Sequence, residues 1–263
     1  MSTITTVRTE IERDRWGRPL IVPPGGGKPK GYTRVTTFVG ALEDTYNLEK
    51  WKMRQVALGL ADRPDLLLSV AAHRDDKKQL NKACEQAVEA AKASAKATTG
   101  TALHALTEII DRGGELPIIP DEARADLNAY QQATAGLNMV AIEQFGVHDE
   151  LQAAGTWDRI VERDGQRFIA DLKTGSIEWG LGKIAQQLAL YSRCQGYDPY
   201  TGHRTPLNVH QSAGIVIHLP AGQARCDLYW IDLNAGWEAV QLSASVRNWR
   251  KRKGLTKPFP KTS

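Results

Sequence analysis

The stretch GTWDRIVERDGQRFIADLKTG, residues 155–175, places acidic residues on both sides of an Asp-Gly dipeptide at 164–165. Such a dipeptide between runs of alternating residues is typical of a two-residue β-hairpin turn. In that register Asp158 lies directly opposite Asp171, and Lys173 shares their face because side chains alternate along a strand. The opposite face is mostly apolar and is expected to pack on the core. The sequence therefore predicts two carboxylates and a lysine close together on one face of a hairpin.

Two like charges opposite each other on neighbouring strands destabilise a sheet unless a cation lies between them, because their Cβ atoms are only ~5 Å apart. Carboxylate oxygens are the ligands that hard divalent cations such as Mg2+ or Mn2+ prefer. Lys173 could then orient or deprotonate a water molecule on the metal. The alternative is an exposed, charged hairpin in which Lys173 forms a surface salt bridge with an acid. The residues of the hairpin alone leave both interpretations open.

The composition is that of an ordinary soluble globular protein, with 41% hydrophobic and 24% charged residues in a chain of 263. This length accommodates one large domain or two small ones. No window approaches ~18 consecutive apolar residues, and the first residues lack a signal-peptide pattern, so we expect a cytoplasmic protein without a membrane partner. Cys84, Cys194 and Cys226 are odd in number and far apart, which favours reduced thiols over disulfides or a four-cysteine cluster.

The C-terminal residues 246–263 contain seven basic residues and no acidic one, although the whole chain has a net charge of only +4. Such a segment is a candidate contact for a nucleic-acid backbone, with Arg250 and Arg252 among its cations. The alternative is a solvated helix end, whose dipole the same cations would stabilise.

The hydrophobic pattern predicts a mainly helical N-terminal half, including a helical stretch over 75–112 with a break at 98–100. From about residue 121 the predicted order is α, β, β, β, α, β, β, α. Besides the hairpin, these elements are a helix at 121–136, a strand at 137–147, a helix at 178–195, strands at 212–220 and 225–233, and a helix at 237–253. This order is typical of a mixed sheet with helices on its faces.

Further polar residues recur at helical or strand spacing. His104 and Glu108 are four residues apart on one helix face, although a surface or hydrogen-bonded core histidine is the alternative for His104. The helix at 178–195 carries three polar residues at positions i, i+4 and i+8, namely Lys183, Gln187 and Tyr191. They need partners if they face the sheet. The alternative for Gln187 and Tyr191 is a solvated helix face, which is the more common outcome. Glu143 stands alone in the apolar run MVAIEQF, either as a buried acid near the hairpin or as an exposed residue on an edge strand.

The motifs GTALH, AGTWDRI, FIADLKTG and QLALY together resemble, in order and spacing, those of the PD-(D/E)XK nuclease superfamily, and specifically its RecB-like branch. That branch includes bacterial recombination nucleases, exonucleases of CRISPR adaptation and similar phage exonucleases. The resemblance spans roughly residues 100–191. It implies a mixed α/β, restriction-endonuclease-like core with a central mixed sheet flanked by helices. The expected organisation is an N-terminal hairpin and helical region at 1–98, a nuclease core at 99–253 and a basic tail at 254–263.

The resemblance also implies roles for individual residues. The metal ligands would be His104, Asp158, Asp171 and the backbone carbonyl of Leu172, and Lys173 would position the attacking water. The helix with Gln187 and Tyr191 would line the substrate groove. Apart from the resemblance, charge and spacing make Lys183, Arg250 and Arg252 candidate substrate contacts and Glu108 and Glu143 candidate accessory acids. Mg2+ or Mn2+ is the expected cofactor, a histidine ligand favours Mn2+ somewhat, and no iron-sulfur cluster is expected.

The implied activity is that of a metal-dependent deoxyribonuclease, most readily an exonuclease acting on DNA ends in recombination, repair or phage replication, in the host cytoplasm if phage-encoded. The expected partner is DNA, with a recombinase or a single-strand-binding protein as a further candidate. Two alternatives stay open: a structure-specific endonuclease of the junction-resolvase type, and a non-catalytic DNA-binding or partner-recruiting module. Trp179 and Trp249 lie beside the predicted substrate-facing or basic segments, where base stacking competes with core packing as an explanation.

Overall fold

The computed structural model describes residues 10–91 and 95–259. The chain divides into two compact units. The sheet unit comprises the residues up to 43, residues 129–219 and those from 225 onward, and the helical unit comprises residues 44–128 and 220–224. This division follows contacts in space rather than motifs, so its boundaries differ from the predicted 1–98, 99–253 and 254–263. The functional organisation proposed for those segments stays a prediction.

The described residues form eight α-helices and ten β-strands. The helices are α1 (Val35–Val39), α2 (Tyr46–Asp62), α3 (Pro64–Ala72), α4 (Lys77–Ala90), α5 (Ala95–Asp111), α6 (Asp121–Thr134), α7 (Leu181–Ser192) and α8 (Leu233–Arg250), with a 3-10 turn at Gly40–Leu42. The strands are β1 (Leu20–Ile21), β2 (Lys30–Gly31), β3 (Thr33–Arg34), β4 (Asn138–His148), β5 (Ala153–Arg163), β6 (Gln166–Lys173), β7 (Gln195–Tyr197), β8 (Arg204–Pro206), β9 (Ala213–His218) and β10 (Asp227–Asp232). None of the helices within the described ranges is both long and apolar enough to span a bilayer.

The sheet unit is built on an eight-stranded mixed sheet. Its strand order is β10-β9-β6-β5-β4-β7-β8, and β3 pairs with β5 beside this path. The pairs β6 with β9 and β3 with β5 are parallel, and the other pairs are antiparallel. Helices flank the sheet, which confirms the predicted fold class and is consistent with a restriction-endonuclease-like fold.

The predicted hairpin is present with the predicted register. Arg163 pairs with Gln166, so the turn contains two residues. Asp164 and Gly165 both have positive φ, 52° and 74°, as a type I′ turn requires. Glycine tolerates this backbone because it has no side chain. Aspartate tolerates it better than most residues because its short polar side chain can form local hydrogen bonds. The turn therefore fixes the register of β5 against β6 from the local sequence.

Helices α1, α7 and α8 enclose the main hydrophobic core of the sheet unit together with strands β4, β5, β6 and β9. Helix α7 contributes the apolar residues Ile184, Leu188 and Leu190 to this core. Helices α7 and α8 approach closely at Gly236, where a Cβ atom would lie 2.3 Å from the carbonyl oxygen of Ala185. The backbones can come this near because glycine has no side chain.

The helical unit consists of α2 to α5, most of α6 and the turn at 220–224. Helices α2 and α4 meet at Gly59, whose Cβ would overlap the carbonyl of Ala87. The turn is held by the buried carboxylate of Asp126, which accepts hydrogen bonds from the backbone N–H groups of Gly222 and Ala224 at 2.7 and 2.8 Å. A buried acid thus satisfies two backbone donors of the β9–β10 connection.

Two local expectations were wrong, and two short strands were not predicted. The helical stretch does not break at 98–100, because α5 runs through Gly100, which is buried; tertiary packing offsets the ~1 kcal/mol that glycine costs in a helix. Helix α8 begins at Leu233 rather than 237, since the carboxylate of Asp232 caps it by accepting from the N–H groups of Asn234 and Ala235. Strands β7 and β8 were not predicted, because a strand of three residues is too short to show the alternation of apolar and polar side chains.

Candidate active site

The two hairpin acids meet at the end of the β5–β6 ladder. The last paired residues are Arg159 and Ala170, and the same register continued by one residue places Asp158 opposite Asp171. At this point the Asp158 carboxylate accepts a hydrogen bond from the backbone N–H of Leu172 at 2.9 Å. Where the ladder of backbone hydrogen bonds ends, this side-chain hydrogen bond continues the contact between the strands and holds the Asp158 carboxylate against β6.

Asp171 is a buried acid, with 2% of its surface exposed. It forms an ion pair with Lys173, and the Gln187 side chain donates to its other carboxylate oxygen at 3.3 Å. Burial raises the pKa of Asp171 to about 7, and the negative charge of Asp158 acts in the same direction. The alternative of an exposed surface salt bridge is therefore wrong for this pair. The lysine is paired with an acid that water scarcely reaches.

Glu143 on β4 extends the acidic row to a third strand. Its neighbours on either side, Ile142 and Gln144, pair with the two neighbours of Asp158, so Glu143 lies opposite Asp158. Its φ of 50° is rare for a residue other than glycine. Three carboxylates thus follow one another across β4, β5 and β6.

Two residues of the polar stripe of α7, Gln187 and Tyr191, face the sheet. Gln187 reaches Asp171, and Lys183 forms a 2.6 Å ion pair with Glu43. Tyr191 is buried, and burial raises the pKa of its phenol well above the ordinary value, with the nearby acids Asp158, Asp171 and Glu143 adding to the effect. The phenol therefore stays neutral at physiological pH and can donate a hydrogen bond.

Tyr191 is also fixed by close packing on β5. A Cβ atom at Gly155 would lie 2.7 Å from the phenol oxygen, which is closer than side-chain carbons come in folded proteins. Glycine at this position of the AGTWDRI motif therefore leaves room for the tyrosine of the QLALY motif. The spacing of the two motifs in the chain reflects a contact in the sheet unit.

The other predicted site residues belong to other elements. His104 and Glu108 are on α5 in the helical unit, where Glu108 forms a 3.4 Å ion pair with Arg112. Arg250 is the last residue of α8 and donates to the carbonyl oxygen of Ala41 at 3.5 Å. Arg252 is exposed in the segment that follows. The structure therefore brings together Asp158, Asp171, Leu172, Lys173, Gln187, Tyr191 and Glu143 within one unit.

The donors suit a hard divalent cation in chemistry, although no group of three or more His, Cys, Asp or Glu side chains within the described ranges is arranged for metal binding. Asp158 and Asp171 offer carboxylate oxygens, which Mg2+ and Mn2+ prefer. Two opposed acids with one of them buried repel each other, and a cation between them would offset that cost. The residues present therefore fit such an ion.

His218 on β9 is a neighbour of the site that sequence reasoning missed. It pairs with Lys173 in the parallel ladder between β6 and β9. Its ring Nε2 lies 3.0 Å from the carbonyl oxygen of Gly175 and must donate, because a carbonyl only accepts. No local signal could reveal this contact, since parallel pairing joins strands that are distant in sequence.

The motifs have a counterpart among known protein families. The family model for the PD-(D/E)XK nuclease superfamily matches residues 72–194. The matched segment contains the β5–β6 hairpin and α7, and hence Asp158, Asp171, Lys173, Gln187 and Tyr191. The match confirms the resemblance at the level of the superfamily and supports a nuclease, while the RecB-like branch stays a prediction. No curated protein matches the chain.

Proposed function

We propose that this protein is a metal-dependent deoxyribonuclease that hydrolyses phosphodiester bonds at DNA ends. The observation that carries the proposal is the buried carboxylate of Asp171, paired with Lys173 and placed opposite Asp158. Acids with strongly shifted pKa values cluster at functional sites, and this one lies opposite a second acid. The superfamily match supports the nuclease, and the action on ends rests on the resemblance to exonucleases.

Asp158, Asp171 and the backbone carbonyl of Leu172 are the ligands proposed for Mg2+ or Mn2+. A bound divalent cation would act as a Lewis acid on the phosphate and lower the pKa of a bound water. The hydrogen bond from the Leu172 N–H holds Asp158 in place. The Gln187 amide does the same for Asp171. Orientation of the two carboxylates is thus supplied by groups of the protein itself.

Lys173 is proposed to position the attacking water and to offset the charge that develops on the phosphate oxygens. Its side chain is partly exposed beyond its contact with Asp171, so its ammonium group can reach a substrate. Tyr191, with its neutral phenol, would donate to the DNA or to the acids. Glu143 would serve as an accessory acid beside Asp158.

Cations of the sheet unit would attract DNA toward this site. Lys183 lies one helical turn from Gln187, and Arg250 and Arg252 belong to the basic C-terminal segment. Such charges attract the phosphate backbone without reading the base sequence. DNA, together with a recombinase or a single-strand-binding protein, is the partner proposed.

The test compares end-labelled linear DNA, closed circular DNA and branched DNA in Mg2+, Mn2+ or EDTA. The variants are Asp171→Ala and Lys173→Ala, with Glu162→Gln as the matched control, because Glu162 lies on the same hairpin but pairs with Arg167 near the turn. We expect loss of linear DNA only, dependent on the metal, abolished by the first two substitutions and retained in the control.

Other outcomes would change the proposal in defined ways. A cut within closed circular DNA or at the junction of branched DNA would replace the exonuclease with a structure-specific endonuclease that uses the same site. DNA that is bound but not cut with any metal would refute the nuclease and favour a binding module. Unchanged cleavage in Asp171→Ala would place the chemistry away from the hairpin.

A further inference from the structure

Trp179 presents its indole ring almost completely to solvent, with 96% of its surface exposed. It follows Lys173 by six residues, in the segment that connects β6 to α7. Most large aromatic side chains gain stability by burial, so a fully exposed tryptophan next to a candidate site needs an explanation. Neither the proposed chemistry nor the packing of the sheet unit uses this side chain.

The segment that carries Trp179 is anchored on both sides. Ile177 is buried in the main hydrophobic core. The His218 ring donates to the carbonyl of Gly175, and the N–H of Gly180 donates to the carbonyl of Ile177 at 2.9 Å. The backbone of the segment at 175–180 is therefore fixed by core packing and hydrogen bonds. The exposure of the indole does not result from a loosely attached loop.

Trp179 lies two residues before the first residue of α7, the helix whose Gln187 side chain donates to Asp171. The segment that carries Trp179 therefore connects the two elements that hold the candidate site, β6 with Asp171 and Lys173 and α7 with Gln187.

We propose that Trp179 is a stacking platform for an unpaired base of the DNA strand whose phosphate lies at Asp158 and Asp171. This proposal rests on the proposed nuclease function and adds a substrate class to it, namely a DNA end with a single-stranded segment. An indole face binds any base by stacking, whatever the base sequence. A paired base has no free face except at the terminus, so the platform favours unpaired nucleotides.

The first test measures binding of a single-stranded oligonucleotide in Ca2+ by the native protein, Trp179→Ala and Trp179→Phe. We expect roughly 10-fold weaker binding by Trp179→Ala, as for loss of one stacked base, and near-native binding by Trp179→Phe, which keeps an aromatic face. Trp16→Ala is the matched control, because Trp16 is also exposed in the sheet unit, at 62%, but is covered by the guanidinium of Arg15 at 4.1 Å.

The second test moves a single abasic nucleotide stepwise along the oligonucleotide. At one position the native protein should lose the same roughly 10-fold in affinity, and Trp179→Ala should lose nothing further. Such non-additivity identifies the stacked base. Equal binding by Trp179→Ala and the native protein, or additive losses at every position, would overturn the platform.

Cleavage of the same oligonucleotide by the native protein in Mg2+ separates the two proposals. If the native protein cleaves and Trp179→Ala cleaves and binds equally well, the platform fails and the nuclease stands. If the native protein neither binds nor cleaves DNA, both fail. Because Trp179 is exposed, its replacement should leave the thermal unfolding of the protein unchanged, so a loss of binding would not reflect misfolding.

Discussion

Replacement of Asp171 by asparagine is expected to stabilise the metal-free protein at neutral pH while it abolishes DNA cleavage. The carboxylate of Asp171 is buried, and its pKa is raised to about 7 from an ordinary value of 3.8. Below the ordinary pKa the group is protonated in both the folded and the unfolded protein and costs nothing. As the pH rises toward 7, the unfolded chain loses the proton while the folded protein keeps it, so the folded protein loses stability.

The magnitude follows from the difference between the two pKa values. About three pKa units at 1.36 kcal/mol per unit give a penalty of roughly 4 kcal/mol once the group is ionised in both states. Asparagine has nearly the same shape and no charge, so it does not carry this penalty at any pH. The difference in unfolding free energy between Asp171→Asn and the native protein should therefore widen by roughly 3 kcal/mol between pH 5 and pH 8.

Urea unfolding in EDTA at several pH values measures this difference. Asp164→Asn is the matched control, because Asp164 is an exposed acid of the same hairpin, with 89% of its side chain accessible. Its positive φ also suits asparagine. This control should follow the native protein at every pH. Mg2+ should narrow the gap between Asp171→Asn and the native protein, because a bound cation stabilises the ionised acid.

Parallel pH profiles for Asp171→Asn and the native protein in EDTA would refute the reasoning. They would mean that the Asp171 carboxylate is no less hydrated in the folded protein than in the unfolded chain. A variant that is less stable than the native protein at pH 8 would contradict it more strongly. In that case the ion pair with Lys173 would contribute more to stability than dehydration costs.

Two further predictions concern packing and buried polar groups. Gly236→Ala should lower the unfolding free energy by about 1–3 kcal/mol, because its Cβ would collide with the carbonyl of Ala185. Gly182→Ala on α7 is the control and should be neutral or stabilising, because no atom lies within 4 Å of the added Cβ. Urea unfolding of both variants measures the difference, and equal effects would contradict the prediction. Asp126→Ala should lower the free energy of unfolding by about 1–3 kcal/mol for each backbone N–H of the turn at 220–224 that it leaves without a partner. The rate of hydrogen exchange at these amides should rise. Unchanged protection of the amides would show that the carboxylate does not hold the turn.

The local sequence was sufficient for the hairpin and for the spacing of polar groups on α7. Asp164 and Gly165 adopt a backbone that few other residues accept, so they determine the turn, and the turn determines that Asp158 lies opposite Asp171. The four-residue spacing of Gln187 and Tyr191 likewise places both on one helix face. These features depend only on neighbours within one helical turn or one hairpin, which is why the order of residues along the chain suffices to predict them.

The environment of the acids depended on contacts between distant parts of the chain. Asp171 is buried because α7 packs over β6, and a sequence pattern does not reveal how much water a charged residue loses. His218 reaches the segment after Lys173 only because β9 pairs in parallel with β6. Parallel pairing is not set by a turn, so its register follows from packing of the whole sheet.

The position of Glu143 separates most clearly what the local sequence determines from what the tertiary structure determines. The register of β4 against β5 shifts by one residue between Met139 and Ala141. Without that shift Ile142 would lie opposite Asp158, and with it Glu143 does. The sequence by itself determined the opposed pair Asp158 and Asp171, because their register is closed by a local turn. Only the tertiary structure decided that a third acid joins the row, because a bulge changes the pairing of a long strand without any local signal.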